Sequence, residues 1–338
     1  MKRIHNKSIG WRVSLGVTAC AFSWLLSVAS FAGDVDSLIK NVQSASSEVR
    51  VEAADKAAEA GVDALLPLAG LMDNEDQFVV KDVQHAMMHI VHYAGRPGAE
   101  GEAEKAEEAL IQVLENDSSH AAKNEALELL HFVGTEEAVD AISDCLEEDD
   151  LFEAAARCLE EIPGDEATEE LLEALEDASV DKQRRILDSL GHRGDPGSAD
   201  ELVEYYKGAP AQLKIDALDA ISRLGTPVDA KFKLPLMAIA SESANRRLPE
   251  ILLRMADVEA EAGHKKKALK IYEALMDGAV LEHVVCGAMI GIAQLNDPET
   301  IGMFGKKMAD PSPAIREIAA QTIINWKGGD VDSMLKKR

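Results

Sequence analysis

Apolar residues in this chain fall into short blocks with the 3.6-residue spacing of a helix face. Across 79–94, Val79, Val83, Ala86, Met87, Ile90 and Ala94 form one such stripe. The run Ala121-Ala122-Lys123-Asn124-Glu125-Ala126-Leu127-Glu128-Leu129-Leu130 has the same spacing and is preceded by Asp117. Leucine-rich segments follow these blocks, such as Leu65, Leu66, Leu68, Leu71 and Met72, or Leu171, Leu172 and Leu175. No stretch alternates convincingly with period two, so strand content is expected to be near zero. The blocks also recur. A basic residue followed three positions later by a small or apolar one stands at Arg50, Lys81, Lys123, Arg184, Lys214, Arg246 and Arg316, and Glu153 and His283 fill the two gaps. Adjacent marks lie 31, 42, 30, 31, 30, 32, 37 and 33 residues apart. A period of this length is one helix–turn–helix unit, which buries its apolar face only against its neighbours. The pattern therefore predicts a stack of helical hairpins, an α-solenoid. Gly61, Gly134, Gly164 and Gly225 each stand eleven residues after a mark, where a left-handed glycine would close the first helix.

The clearest copies are Asp310-Pro311-Ser312-Pro313-Ala314-Ile315-Arg316-Glu317-Ile318-Ala319-Ala320 and Ser47-Glu48-Val49-Arg50-Val51-Glu52-Ala53-Ala54. Asp117 and Lys123 repeat the spacing of Asp310 and Arg316. These residues resemble the HEAT family in its short bacterial form, the PBS-lyase HEAT-like repeats, over nearly all of 34–338. The resemblance implies an all-α, right-handed α-α superhelix of the armadillo/HEAT type with about nine hairpins. It also implies a structural ladder of acids and bases between repeats, and the work of a scaffold rather than an enzyme. Two enzymes share the repeat type. Deoxyhypusine hydroxylase uses repeated His-Glu dipeptides for a di-iron site, and this chain contains none. Phycobilin lyases act in the cytoplasm of pigmented cells, which conflicts with the start of this chain. Two segments depart from the repeat. Residues 95–105 read as an acidic, flexible lengthening of the second repeat's turn, and 251–276 resembles a single tetratricopeptide hairpin carrying Ala256, Gly263, Ala268 and Tyr272.

That start is Lys2, Arg3, Lys7 and Arg12 without an acidic residue, followed by an apolar stretch from Val13 to Ala32 that ends in Ser30-Phe31-Ala32. It reads as a signal peptide, residues 1–32, cleaved after Ala32, with the repeats in 33–338. The apolar run is also about long enough to serve as an N-terminal membrane anchor, and Val17-Thr18-Ala19-Cys20 is a loose lipobox. The expected location is periplasmic or extracellular, or membrane-anchored if the run is retained. The cysteines left after cleavage, Cys145, Cys158 and Cys286, are too few for a disulfide framework and read as small apolar residues.

Charge narrows the class of partner. Residues 33–181 hold 39 acidic and 8 basic residues, whereas 182–338 hold 22 and 23; Arg157 is the one base among 19 acids in 136–181. An acidic half of this kind repels phosphate backbones, which argues against nucleic acid, and attracts a protein partner with a basic segment. The surface expected to take it is the concave one lined by second helices, with Glu169, Glu173 and Glu176 as candidate contacts. No membrane span is expected after signal cleavage. A second candidate is the polar face opposite the 79–94 stripe, where His85, Met88, His89 and His92 stand at i, i+3, i+4 and i+7. Histidines one turn apart can chelate Zn²⁺ or Cu²⁺, and a thioether suits copper. Asp82 is the one nearby carboxylate in the sequence to orient those rings. No nucleophile–base pair, haem-attachment motif or phosphate loop is legible, so no catalytic residue is assigned.

Overall fold

The computed structural model describes residues 35–228, 234–235, 246–278, 281–326 and 331. The expected signal peptide lies outside the described residues. Every regular element among them is helical. The chain falls into two compact units, Met1–Cys145 and Leu146–Arg338.

In the first unit, α1 (35–42) leads into α2 (Ser47–Asp55), α3 (Leu65–Ala69), α4 (Gln77–Ala94), α5 (Glu100–Glu115), α6 (His120–Val133) and α7 (Val139–Asp144). In the second, α8 (Phe152–Glu161), α9 (Glu166–Asp177), α10 (Val180–Arg193), α11 (Ala199–Gly208) and α12 (Lys214–Arg223) come first. They are followed by α13 (Arg247–Glu261), α14 (Lys265–Gly278), α15 (Glu282–Leu295), α16 (Ile301–Lys307) and α17 (Pro313–Ile324). Among the described residues, nine helices carry the sequence marks in or beside their first turns: α2, α4, α6, α8, α10, α12, α13, α15 and α17. Each unit stacks these first helices on one another, α2–α4–α6 in one and α8–α10–α12–α13–α15–α17 in the other. This is the α-α solenoid arrangement that the period implies.

Local chemistry sets the starts. Asp76, Ser119, Ser179 and Ser312 cap α4, α6, α10 and α17, each accepting from a first-turn backbone N–H. The predicted stripe on α4 is buried in full, with Val91 added. Gly61, Gly164 and Gly225 take the expected positive φ, but Gly134 does not, at φ −68° and ψ 141°. The buried carboxylate of Glu107 closes that end instead. It accepts from both the Thr135 N–H (2.5 Å) and the Thr135 hydroxyl (2.8 Å), so the chain turns without a left-handed residue.

A second expectation also needs correcting. The stretch 95–105 is not a lengthened loop, because α5 begins at Glu100 and only Gly95–Ala99 form the turn. Glu100 and Glu102 lie in the first helical turn, where acids oppose the positive helix end. Arg96 also reaches Glu102 (2.8 Å) and stacks on the Tyr93 ring, fixing the turn. Residues 251–276 lie within the tight α13–α14 hairpin, where Gly263 (φ 82°) turns the chain and Ala256, Ala268 and Tyr272 are buried. Cys145 and Cys158 are buried and Cys286 is partly covered.

The ladder of charges runs between successive first helices. Arg50 reaches Asp82 (2.7 Å), Arg185 reaches Glu153 (2.8 Å), Arg184 reaches Asp216 (3.3 Å), Arg223 reaches Asp188 (3.0 Å) and His283 reaches Glu250 (3.0 Å). Arg316, by contrast, donates to the backbone carbonyls of Asp310 (2.7 Å) and Pro311 (2.8 Å), and Arg50 likewise donates to Ser44 (2.9 Å). Arg50 and Arg316 thus tie the preceding loop to their own helix.

Candidate functional site

The second helices α9 and α11 flank an open groove of about 770 Å³. Its floor is apolar, with Leu172 and Leu175 from α9 and Ala209 just after α11. Its walls carry four carboxylates: Glu173 and Glu176 from α9, Glu201 and Glu204 from α11. All four side chains are exposed. Of them, Glu204 is paired to Lys207 (2.7 Å), an exposed contact that costs little to break. Leucines at positions 171, 172 and 175 hold one face of α9 inward, and the helix period leaves 173 and 176 on its rim. Gln183 of α10 donates to the Leu175 carbonyl (2.9 Å), occupying an acceptor that the end of α9 would otherwise leave open. Tyr205 lines the same groove. Burial, followed by the nearby Asp216 carboxylate, pushes its phenol above the usual range, and its hydroxyl oxygen has no hydrogen-bond partner among the described residues.

Two of the three sequence candidates therefore line this groove. Glu169 is exposed on α9 but does not line it. Glu201, Glu204 and Tyr205 were not singled out by the sequence. Their signal was available in the repeat, since α11 is the second helix of the repeat that follows α9.

The histidine stripe divides. His85 and His89 turn toward each other, ring centroids 4.4 Å apart at 82°, with an N–H shared between their Nε2 atoms at 2.9 Å. Asp55, the last residue of α2, places its Oδ1 3.8 Å from His85 Nδ1. His92 instead packs edge-on against Phe132 of α6, at 4.4 Å and 71°. Met88 is half-buried on α4. The carboxylate expected from sequence, Asp82, is held by Arg50.

A third cluster escaped sequence reading. A cavity of about 350 Å³ between α10, α12 and α13 is lined by Arg184, Arg185, Arg223 and Arg247, interleaved with four aspartates. Each guanidinium is paired with carboxylates, so the cluster is an internal network rather than an anion site.

Residues 152–177, the hairpin of α8 and α9, match the family model described as the PBS lyase HEAT-like repeat. The fold is an α-α solenoid, and this one hairpin is similar to the HEAT-like repeat. No curated protein matches the chain. Among solved structures, an engineered protein is similar at 18% identity over 90% of each chain, with a TM-score of 0.44. Human deoxyhypusine hydroxylase in complex with glycerol is similar at 17% identity over 72% of this chain and 100% of that one, with a TM-score of 0.36. The complex of CpcE and CpcF of phycocyanin lyase from Nostoc sp. PCC7120 follows at 16%, 77% and 94%, with a TM-score of 0.35. At these values the neighbours carry no functional argument for this chain. No helix among the described residues is long and apolar enough to cross a membrane.

Proposed function

We propose that this chain is an exported, non-catalytic scaffold that binds a basic segment of a partner protein in the groove between α9 and α11. The observation that carries this reading is the groove's composition, four carboxylates around an apolar floor. Such a surface suits a segment that alternates Lys or Arg with apolar residues: the cations meet the rim and the apolar side chains cover the part-exposed Leu172. The scarcity of bases across 136–181 supports the same sign of partner, since it leaves few competing internal cations. Export is supported by the basic start and the apolar run from Val13 to Ala32.

Charge reversal tests the reading. A fluorescently labelled peptide of alternating lysine and leucine is titrated into the full chain, with Glu173→Lys/Glu176→Lys compared against Glu299→Lys/Glu317→Lys, two exposed acids outside the groove. Exposed ion pairs contribute roughly 0.2–1 kcal/mol each, so reversing two groove charges should weaken binding about tenfold, against little change for the control. Affinity should also fall as salt rises from low to physiological levels, because the rim is solvent-exposed. Equal losses from the two double variants would reject the groove.

A further inference from the structure

The geometry points to a second site, in the first unit: we propose that Asp55, His85 and His89 bind one divalent transition-metal ion of the Zn²⁺ or Cu²⁺ class. One donor atom from each of the three residues lies within 4.8 Å of the others. The two histidines come from successive turns of α4, and the carboxylate comes from the end of the neighbouring repeat's first helix, α2. Two imidazole nitrogens and one carboxylate oxygen form a donor set suited to zinc or copper and poorly suited to the oxygen-seeking Ca²⁺ and Mg²⁺.

The fold holds this convergence in place. The half-buried Arg50–Asp82 pair locks α2 to α4 with an offset of 32 residues. Carried five residues along, that register sets Asp55 opposite position 87, between His85 and His89. Tetrahedral ligands about 2.0–2.2 Å from an ion lie about 3.3 Å from each other, and one donor atom from each of the three residues already lies within 4.8 Å of the others, so a small contraction reaches the required spacing. Rotations of exposed or half-exposed side chains suffice to close it. Three protein ligands leave a fourth position for water or for a group on a partner. His92 is excluded because its ring is engaged with Phe132, and the thioether of Met88 is not needed to complete the set. Metal binding of this kind joins the first two repeats.

The test uses the full chain stripped of metal with a chelator. Zn²⁺ titrated by calorimetry should bind with one equivalent per chain and raise Tm. His85→Ala/His89→Ala should abolish binding, and Asp55→Asn should weaken it at least about tenfold, as loss of one of three ligands demands. His92→Ala should bind like the wild type. Circular dichroism checks the fold, and His85→Gln/His89→Gln is the replacement pair should the alanine variant unfold. Stoichiometric binding that survives loss of both histidines, equal damage from His92→Ala, or no binding by the wild type would each overturn the proposal.

Discussion

Asp219 shows how a single buried charge is made tolerable here. It is 6% exposed and accepts hydrogen bonds from Arg223 (3.0 Å), Arg247 (2.7 Å) and Arg254. Burial alone would raise its pKa, but the Arg247 hydrogen bond and the charges of Arg223, Arg254 and Arg247 together hold it below the usual aspartate range. A depressed folded-state value contributes stability that is fully present above the unfolded pKa of about 3.9 and is lost as pH falls through the lower folded value. Asp219→Asn should cost about 2–3 kcal/mol at neutral pH, less than for a fully buried pair because the three arginines are partly exposed. As pH falls from about 4 through that lower folded value, the difference between the wild-type and variant unfolding curves should shrink toward zero. Urea melts across the acid range check this, and a constant difference at every pH would contradict the assigned charge network.

Helix packing is close where α15 crosses α14. A Cβ placed on Gly291 would lie 2.5 Å from Cε1 of Tyr272. That ring cannot yield, since it is 1% exposed and its hydroxyl donates to Asp257 at 2.6 Å. Alanine is the better helix former by about 1 kcal/mol, yet overpacking costs about 1–3 kcal/mol, so Gly291→Ala should lower Tm in a thermal melt. A raised Tm would show that the α14–α15 contact relaxes. At this scale the sequence was most readable. The apolar period of α4 named its buried face residue by residue, because burial of a helix follows its own local pattern. The end of α6 was not readable, since it is closed by Glu107, a side chain 28 residues upstream of the Thr135 it binds. The start of α5 was misread from its glycines and charges, which a helix N-terminus accepts.

Across the whole chain, the repeat period and the charge imbalance were legible, whereas the sites were legible only by half. Both candidate sites join residues from neighbouring repeats: Glu173 and Glu176 with Glu201 and Glu204, and His85 and His89 with Asp55. A periodic sequence announces that such meetings occur at an offset of one repeat. It does not state which side chains converge, because that depends on helix register, set here by pairs such as Arg50–Asp82. The central claim is that the acidic groove of α9 and α11 receives a basic segment. Hydrogen exchange measured on the full chain with and without the lysine–leucine peptide tests it most directly. The account predicts slowed exchange in residues 166–177 and 199–210, with little change elsewhere. Protection centred on another pair of helices, or none at saturating peptide, would contradict it.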